Sequence, residues 1–237
     1  MQLMIYKVYF LFLIVWSAVG QEQSFDEAQL LGKKNMVLEG AKYQLLSEVI
    51  QAFEKMKKAA LLVGIDIKVV SGFRSYERQR AIWNRKYKAN RQAGLSPEEN
   101  IQKIIEYSTL PGTSRHHWGT EIDIIDGTIQ SQGDVLLAEK FHEGGPYEPL
   151  RVWLEENAAT FGFICAYPDQ LQRTGFNYEP WHYSYAPISR PLYRAYLDID
   201  LERVLMDSDL EGSSYLTKHF LDRYKTSHIM GIDPALK

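Results

Sequence analysis

Two short segments decide how this chain is interpreted: SRHHWGTEID at residues 114–123 and EPWH at residues 179–182. The candidate metal ligands that they contain are His116, Asp123 and His182. Two imidazoles and one carboxylate suit Zn²⁺, and three protein ligands leave the fourth position of a tetrahedral ion open for water. Together the two segments therefore predict a metal site of the hydrolytic kind.

Glu179 supplies the further group that such a site needs for hydrolysis. A metal lowers the pKa of its bound water to roughly 7, and a nearby carboxylate can take the proton and later deliver it to the leaving amine. Pro180 restricts Glu179 to an extended backbone, so Glu179 and His182 are expected on one rigid strand segment. Taken alone, this segment is equally consistent with an aromatic strand end that carries a solvated glutamate.

The first segment is predicted to be a loop followed by a strand. Its His116 and Asp123 lie seven residues apart, but Gly119 and the alternating isoleucines after it argue against a helix. His117 is adjacent to His116, and since neighbours on an extended segment point to opposite sides, only one of the two is expected to bind. Without the second segment, His116 and Asp123 would be better explained as capping or core residues.

The two segments together resemble the zinc D-alanyl-D-alanine carboxypeptidases of the vancomycin-resistance type, which cut cell-wall peptides. That family shares a wider fold group with lysostaphin-like peptidases and the hedgehog signalling domain. Its pattern is Ser-x-His-x-x-Gly-x-x-x-Asp followed by Glu-x-Trp-His. This chain matches it, in order, with Ser114, His116, Gly119, Asp123, Glu179, Trp181 and His182. The segment SGFRSYERQ at residues 71–79 resembles the family's substrate-arginine segment, and the resemblance spans residues 40–187.

The resemblance implies a fold, a cofactor and a substrate. The fold is α+β of the hedgehog/D,D-peptidase type, with a small, largely antiparallel sheet flanked by helices. The cofactor is one Zn²⁺ ion, bound by His116, Asp123 and His182, with Glu179 as the catalytic base. The partner is a stem peptide of peptidoglycan.

Three more residues take roles from the resemblance. Arg74 would polarise the scissile carbonyl and stabilise the oxyanion, although a charge at the start of a surface helix is its simpler explanation. Ser114 and Gln79 would help to hold the end of the peptide.

One departure from the family concerns Glu121, where many members carry Ala. On an alternating strand Glu121 shares a face with Asp123, so it could line the pocket, support a ligand histidine or alter the choice of substrate.

The composition bounds the class of protein. The chain has 237 residues, of which 45% are hydrophobic and 24% charged, as in an ordinary globular domain. Its net charge of -3 gives no reason to expect nucleic acid as a partner. The single cysteine, Cys165, cannot form a disulfide within the chain and lies in an apolar strand-like run, which favours a buried, inert thiol over a nucleophile. The oligomeric state cannot be read from the sequence.

The first twenty residues differ from the rest. One positive charge precedes a continuous apolar run at residues 8–16, and small residues follow at 17–20. This pattern is typical of a secretory signal peptide, and the run is short for a transmembrane helix, although an uncleaved anchor is the alternative. We therefore expect a signal peptide at residues 1–20, export to the periplasm or cell envelope, and no stable membrane insertion after cleavage.

The remaining chain is predicted to alternate helices and short strands. Helices are expected at residues 41–63, 75–92, 96–107 and 149–161, and strands at residues 65–70, 120–125, 163–166 and 181–185. Residues 21–40 form a lead-in, residues 41–189 the zinc peptidase domain, and residues 190–237 a helical C-terminal extension. The extension could pack on the domain, cover the site or bind the cell wall.

The predicted function is removal of the terminal D-Ala from peptidoglycan stem peptides by an exported zinc carboxypeptidase. An L,D-carboxypeptidase or a peptidoglycan endopeptidase would use the same site, because specificity depends on the shape of the pocket rather than on the metal ligands. A rival of another class is a non-catalytic, zinc-containing binding module. The presence of both Glu179 and Arg74 argues against that rival, since a binding module needs neither a base nor an oxyanion cation.

Overall fold

The computed structural model describes residues 25–130, 132–206 and 209–237. The expected signal peptide at residues 1–20 lies outside these ranges. The α-helices within them are α1 (Glu27–Leu30), α2 (Ser47–Leu61), α3 (Tyr76–Gln92), α4 (Pro97–Ile105), α5 (Glu148–Asn157), α6 (Ala186–Tyr196), α7 (Leu201–Met206) and α8 (Lys218–Tyr224). The strands are β1 (Ile67–Ser71), β2 (Glu121–Asp126), β3 (Phe163–Cys165) and β4 (His182–Tyr185).

The four strands form one sheet in the order β1-β2-β4-β3, and all three pairings are antiparallel. This confirms the expected α+β class with a small antiparallel sheet flanked by helices. In the register of the sheet, Asp123 of β2 lies between Ser71 of β1 and His182 of β4. The pairing of two central strands therefore places two of the three predicted metal ligands side by side.

The helix ends follow the local sequence signals. Ser96 and Glu99 form the predicted capping box at the start of α4, and the Ser75 side chain accepts a hydrogen bond from Arg78 at the start of α3. The helix expected from residue 41 begins only at Ser47, because Glu39 and Leu45 form an isolated antiparallel bridge just before it. The helix expected over residues 149–161 is α5 followed by a 3₁₀ turn.

Two hydrophobic clusters stabilise the fold. One covers the face of the sheet opposite the predicted ligands and includes Ile122 and Ile124 of β2 with Phe53 of α2. The other joins Trp83 of α3 and Trp118 to apolar side chains of α6, α7 and α8. The C-terminal residues thus pack against the rest of the chain as part of a shared core, and α6 runs continuously across position 190.

Across the ranges that the structure describes, no helix combines the length and the apolar character needed to cross a membrane.

Candidate metal centre and active-site cleft

The fold brings His116, Asp123 and His182 to one buried point. His116 lies on a 3₁₀ turn that ends at Gly119, whose φ of 69° is favourable for glycine, while the other two residues lie on paired strands. One ligand atom from each residue lies within 4.8 Å of those of the others. His116 Nε2 is 3.3 Å from Asp123 Oδ2, and His182 Nδ1 is 3.2 Å from Asp123 Oδ1.

Hydrogen bonds fix which nitrogen of each imidazole faces the centre. His116 Nδ1 donates to the Gly72 carbonyl at 2.7 Å, since a carbonyl can only accept. His182 Nε2 donates to Glu121 Oε2 at 3.0 Å. Both rings therefore direct their other nitrogen, with its lone pair, toward Asp123. Gly72 is required for this support, because a Cβ there would lie 2.0 Å from the Tyr43 carbonyl oxygen.

The donor set fits a divalent cation. Asp123 Oδ1 is buried and has no hydrogen-bond partner among the described residues, and it lies 3.2 Å from His182 Nδ1. Burial alone would raise the pKa of Asp123, but His116 and His182 hold it well below its usual range. Burial alone would lower the pKa of His182, but Asp123, Glu121 and Glu179 raise it well above the usual value. Several carboxylates around two buried imidazoles thus favour a positive charge at this point.

Glu179 lies beside the three predicted ligands but on a different element. It is buried, and its Oε2 is 3.2 Å from His182 Nδ1. The expected strand segment for Glu179 and His182 is a tight turn instead: the His182 N–H donates to the Glu179 carbonyl at 3.1 Å, and β4 begins only at His182. Pro180 and Trp181 occupy this turn, so the carboxylate approaches the centre from the loop side.

Arg74 is half-buried and held in place next to the centre. Its Nη1 donates to Gln79 Oε1 at 2.9 Å, its Nη2 donates to Ser71 Oγ at 3.2 Å, and the same Nη2 lies 4.0 Å from Asp123 Oδ2. Gln79 is 0% exposed and donates to the Thr109 carbonyl at 2.8 Å. Gln79 therefore lies behind Arg74 and contacts its guanidinium, while Arg74 itself lines the cleft.

A buried ion pair, which the sequence did not predict, supports His182 from behind. Glu121 is 0% exposed, and its Oε1 accepts from Arg115 Nη2 at 3.2 Å and from Ser184 Oγ at 2.7 Å. Burial would raise the pKa of Glu121, but the Arg115 guanidinium and the hydrogen bonds from His182 and Ser184 lower it to about 2. Of the roles left open for Glu121, its position corresponds to support of a ligand histidine. Only its place on the face of Asp123 signalled this role, and nothing local marked Arg115.

His117 contributes to the framework rather than to the centre. Its Nδ1 donates to the Arg74 carbonyl, and its Nε2 accepts from the Gly112 N–H at 3.1 Å. Burial lowers the pKa of His117 to about 3, so the ring is neutral at physiological pH. This histidine therefore anchors the backbone of Arg74 beside the ligands.

The centre opens into a cleft of about 430 Å³. Ser114, Arg74 and Glu179 line its inner end. The cleft is also lined by Ile82 and Lys86 of α3, by residues 107–109, by Asp134 and by residues 136–139. A cleft of this size accommodates a short peptide or a similar small ligand.

The sequence is similar to those of known D-alanyl-D-alanine carboxypeptidases. A family model described as VanY, D-alanyl-D-alanine carboxypeptidase, matches residues 42–188. The chain is 33% identical over 131 residues to a D-alanyl-D-alanine carboxypeptidase of Enterococcus faecalis, which covers 55% of this chain and 44% of that protein. The chain spans about half the length of the curated relatives that it matches.

Two solved structures resemble this fold. VanYB in complex with D-alanine-D-alanine superposes with a TM-score of 0.54 at 26% identity, covering 75% of this chain and 92% of that chain. A mutant of the vancomycin-resistance D,D-pentapeptidase VanY in complex with Zn(II) gives a TM-score of 0.52 at 26% identity, covering 77% of this chain and 90% of the other.

Proposed function

The chain belongs to the VanY family of D-alanyl-D-alanine carboxypeptidases, and we propose that it removes the terminal D-Ala from peptidoglycan stem peptides that end in D-Ala-D-Ala. The observation that carries this proposal is the buried group of His116, Asp123 and His182 at the inner end of a peptide-sized cleft, with Glu179 beside it. The likeness to a Zn(II) complex and to a D-alanine-D-alanine complex supports the same metal and the same kind of peptide end here.

The three ligands would hold one zinc ion through His116 Nε2, His182 Nδ1 and the Asp123 carboxylate. When bound, zinc supplies the Lewis-acid chemistry that peptide hydrolysis requires. Glu179 accepts the proton of the attacking water and returns it to the leaving amine. One carboxylate thus acts first as the general base and then as the general acid. The short distance between its Oε2 and His182 Nδ1, 3.2 Å, supports this role.

Arg74 stabilises the negative charge that develops on the scissile carbonyl oxygen. A fixed cation is effective in this role because it needs no reorganisation during the reaction, and the hydrogen bonds from Arg74 to Gln79 and Ser71 hold it fixed. We assign Gln79 to this support, since it is fully buried, and Ser114 to contact with the peptide, since it lines the cleft.

Export forms a further part of the proposal. Residues 1–20 have the pattern of a signal peptide, and a substrate in the cell wall requires the enzyme outside the cytoplasm. The periplasm or cell envelope is thus the proposed location.

The test is mass spectrometry of the products after the purified, zinc-loaded protein has been incubated with pentapeptide and tetrapeptide stem peptides, beside a chelator-treated control. Loss of one alanine from the pentapeptide alone, abolished by the chelator, is expected. Loss from the tetrapeptide would instead assign the chain to L,D-carboxypeptidases. If neither peptide were cut while zinc was bound, an endopeptidase that needs crosslinked substrate or a zinc-containing binding module would replace the proposal.

A further inference from the structure

Lys86 places a positive charge in the cleft that the proposed chemistry does not use. It lies on α3, is half-buried, and lines the cleft with Ile82 of the same helix and with Arg74. Among the described residues its ammonium group has no hydrogen bond and no ion pair. Glu179 and Asp134 influence it only from a distance.

Four other basic residues on this part of α3 differ from Lys86: Arg78 and Arg85 are exposed to water, and Arg80 and Lys88 are paired. Lys88 Nζ lies 3.3 Å from Glu211 Oε1, and Arg80 Nη2 lies 2.8 Å from Glu77 Oε2, so the charges of both are compensated at the surface. For Lys86, burial followed by the positive charge of Arg74 lowers the pKa. A half-buried cation with no anionic partner is costly for the protein alone, and a substrate anion would compensate it.

The geometry of α3 indicates where such an anion would lie. Gln79, Ile82 and Lys86 follow the spacing of one helical face, and Gln79 contacts the guanidinium of Arg74 at 2.9 Å. Seven residues at a rise of about 1.5 Å separate Gln79 from Lys86 by about 10 Å along the helix axis. An extended peptide covers that distance in about three residues, whereas the terminal carboxylate of a carboxypeptidase substrate is one residue from the scissile carbonyl.

We propose that Lys86 binds a side-chain carboxylate of the peptide substrate on the acyl side of the cleaved bond. The inference rests on the proposed function and names its substrate class, acidic peptides that end in D-Ala-D-Ala. Because Lys86 contacts a part of the substrate that does not react, its ion pair with the substrate carboxylate is equally strong in the ground state and in the transition state. Its loss therefore raises KM and leaves kcat unchanged.

Two pentapeptide probes test this inference. Both end in D-Ala-D-Ala and differ only in the second residue before that pair, which is the third residue counted back from the scissile carbonyl. Its side chain carries a carboxylate in one probe and the matching carboxamide in the other. Steady-state kcat and KM are measured for the zinc-loaded wild-type protein and for Lys86→Met, which removes the charge but keeps the apolar stem. Lys88→Met on the exposed side of the same helix is the matched control.

The wild-type protein and Lys88→Met are expected to prefer the carboxylate probe by about ten-fold in kcat/KM, through KM, as for a partly desolvated charge pair. Lys86→Met is expected to lose this preference. Three results overturn the inference: no preference in the wild-type protein, a preference that persists in Lys86→Met, or an equal loss on both probes, which would assign Lys86 to the terminal carboxylate. Failure of the wild-type protein to cut either probe would overturn the proposed function itself, whereas cleavage independent of Lys86 overturns the inference alone.

Discussion

Glu121 Oε2 lies 3.0 Å from His182 Nε2, on the opposite side of the imidazole from Asp123. The register of the sheet produces this arrangement, because Glu121 pairs with Ser184 and Asp123 pairs with His182 on adjacent strands. A carboxylate behind a ligand histidine fixes its tautomer and raises the basicity of the nitrogen that binds the metal. Glu121 in turn forms a buried ion pair with Arg115.

Replacing Glu121 is expected to act mainly by weakening metal binding. Glu121→Gln removes the negative charge that His182 Nε2 contacts, and such changes typically reduce metal affinity by about 10–100-fold. Zinc affinity would be measured by competition with a chromophoric chelator. Glu156→Gln, at an exposed position of α5, is the control. Equal zinc affinities for the two variants would rule out the supporting role of Glu121.

Breaking the buried ion pair from its other end is expected to destabilise the fold. Arg115→Met leaves Glu121 charged and buried with His182 as its remaining charged partner, and removing one member of a buried ion pair typically costs up to about 3–5 kcal/mol of the free energy of unfolding. The double variant Arg115→Met/Glu121→Gln should recover much of that loss, since it removes both charges. Urea unfolding of the zinc-free proteins gives the comparison. If the single and double variants were equally unstable, the loss would come from packing against Trp118, which lies 4.8 Å from the Arg115 guanidinium.

Local signals predicted the parts of the fold that depend on neighbours in the sequence. Ser96 and Glu99 marked the start of α4 because a capping box is complete within one helical turn. The three candidate metal ligands, which the structure brings together, were predicted for a different reason: their spacing resembles a known family. Neither route reveals which residues face one another across a sheet, so the contact of Glu121 with Arg115 and Ser184 required the register of β2 and β4.

The late start of α2 and the packing of the C-terminus both depend on contacts that no periodic pattern in the sequence marks. Leu45 continues the helical pattern of apolar residues, yet its bridge with Glu39 keeps it outside the helix. The hydroxyl group of Tyr224 accepts from the Leu110 N–H at 3.1 Å and lies 3.0 Å from Thr113 Oγ1. These contacts join the C-terminal helices to the loop that precedes His116, which no local pattern at residues 190–237 could indicate.

Cys165 is expected to be chemically inert in the folded protein. Burial raises the pKa of its thiol to about 12, so the thiolate, which is the reactive form, is scarce at pH 8. Alkylation by iodoacetamide at pH 8 should be slow for the native protein and fast in urea, where the pKa returns to about 8.5. Mass spectrometry follows the modification. Rapid labelling of the native protein would contradict the raised pKa.

Removing one imidazole is expected to remove the metal. His116→Ala eliminates a ligand whose Nδ1 is fixed by the Gly72 carbonyl, and two remaining protein ligands bind zinc poorly. Zinc content after dialysis and the activity on a pentapeptide should both fall. His142→Ala is the matched control, because His142 contacts Tyr178 and lies outside the ligand group. Unchanged zinc content in His116→Ala would remove His116 from the ligand set.

The variant Glu179→Ala tests whether Glu179 acts as a base or as a metal ligand. Glu179 lies 3.2 Å from His182 Nδ1 but is not a member of the ligand group, so this variant is expected to keep its zinc. Its turnover should fall by about 10²–10⁴-fold, the usual contribution of general base and acid catalysis. Zinc content and kcat are measured on the same preparation, because loss of both would make Glu179 a ligand. Retained zinc with unchanged kcat would mean that another group accepts the proton, and the arrangement of Glu179 in the turn before β4 would then need a structural explanation.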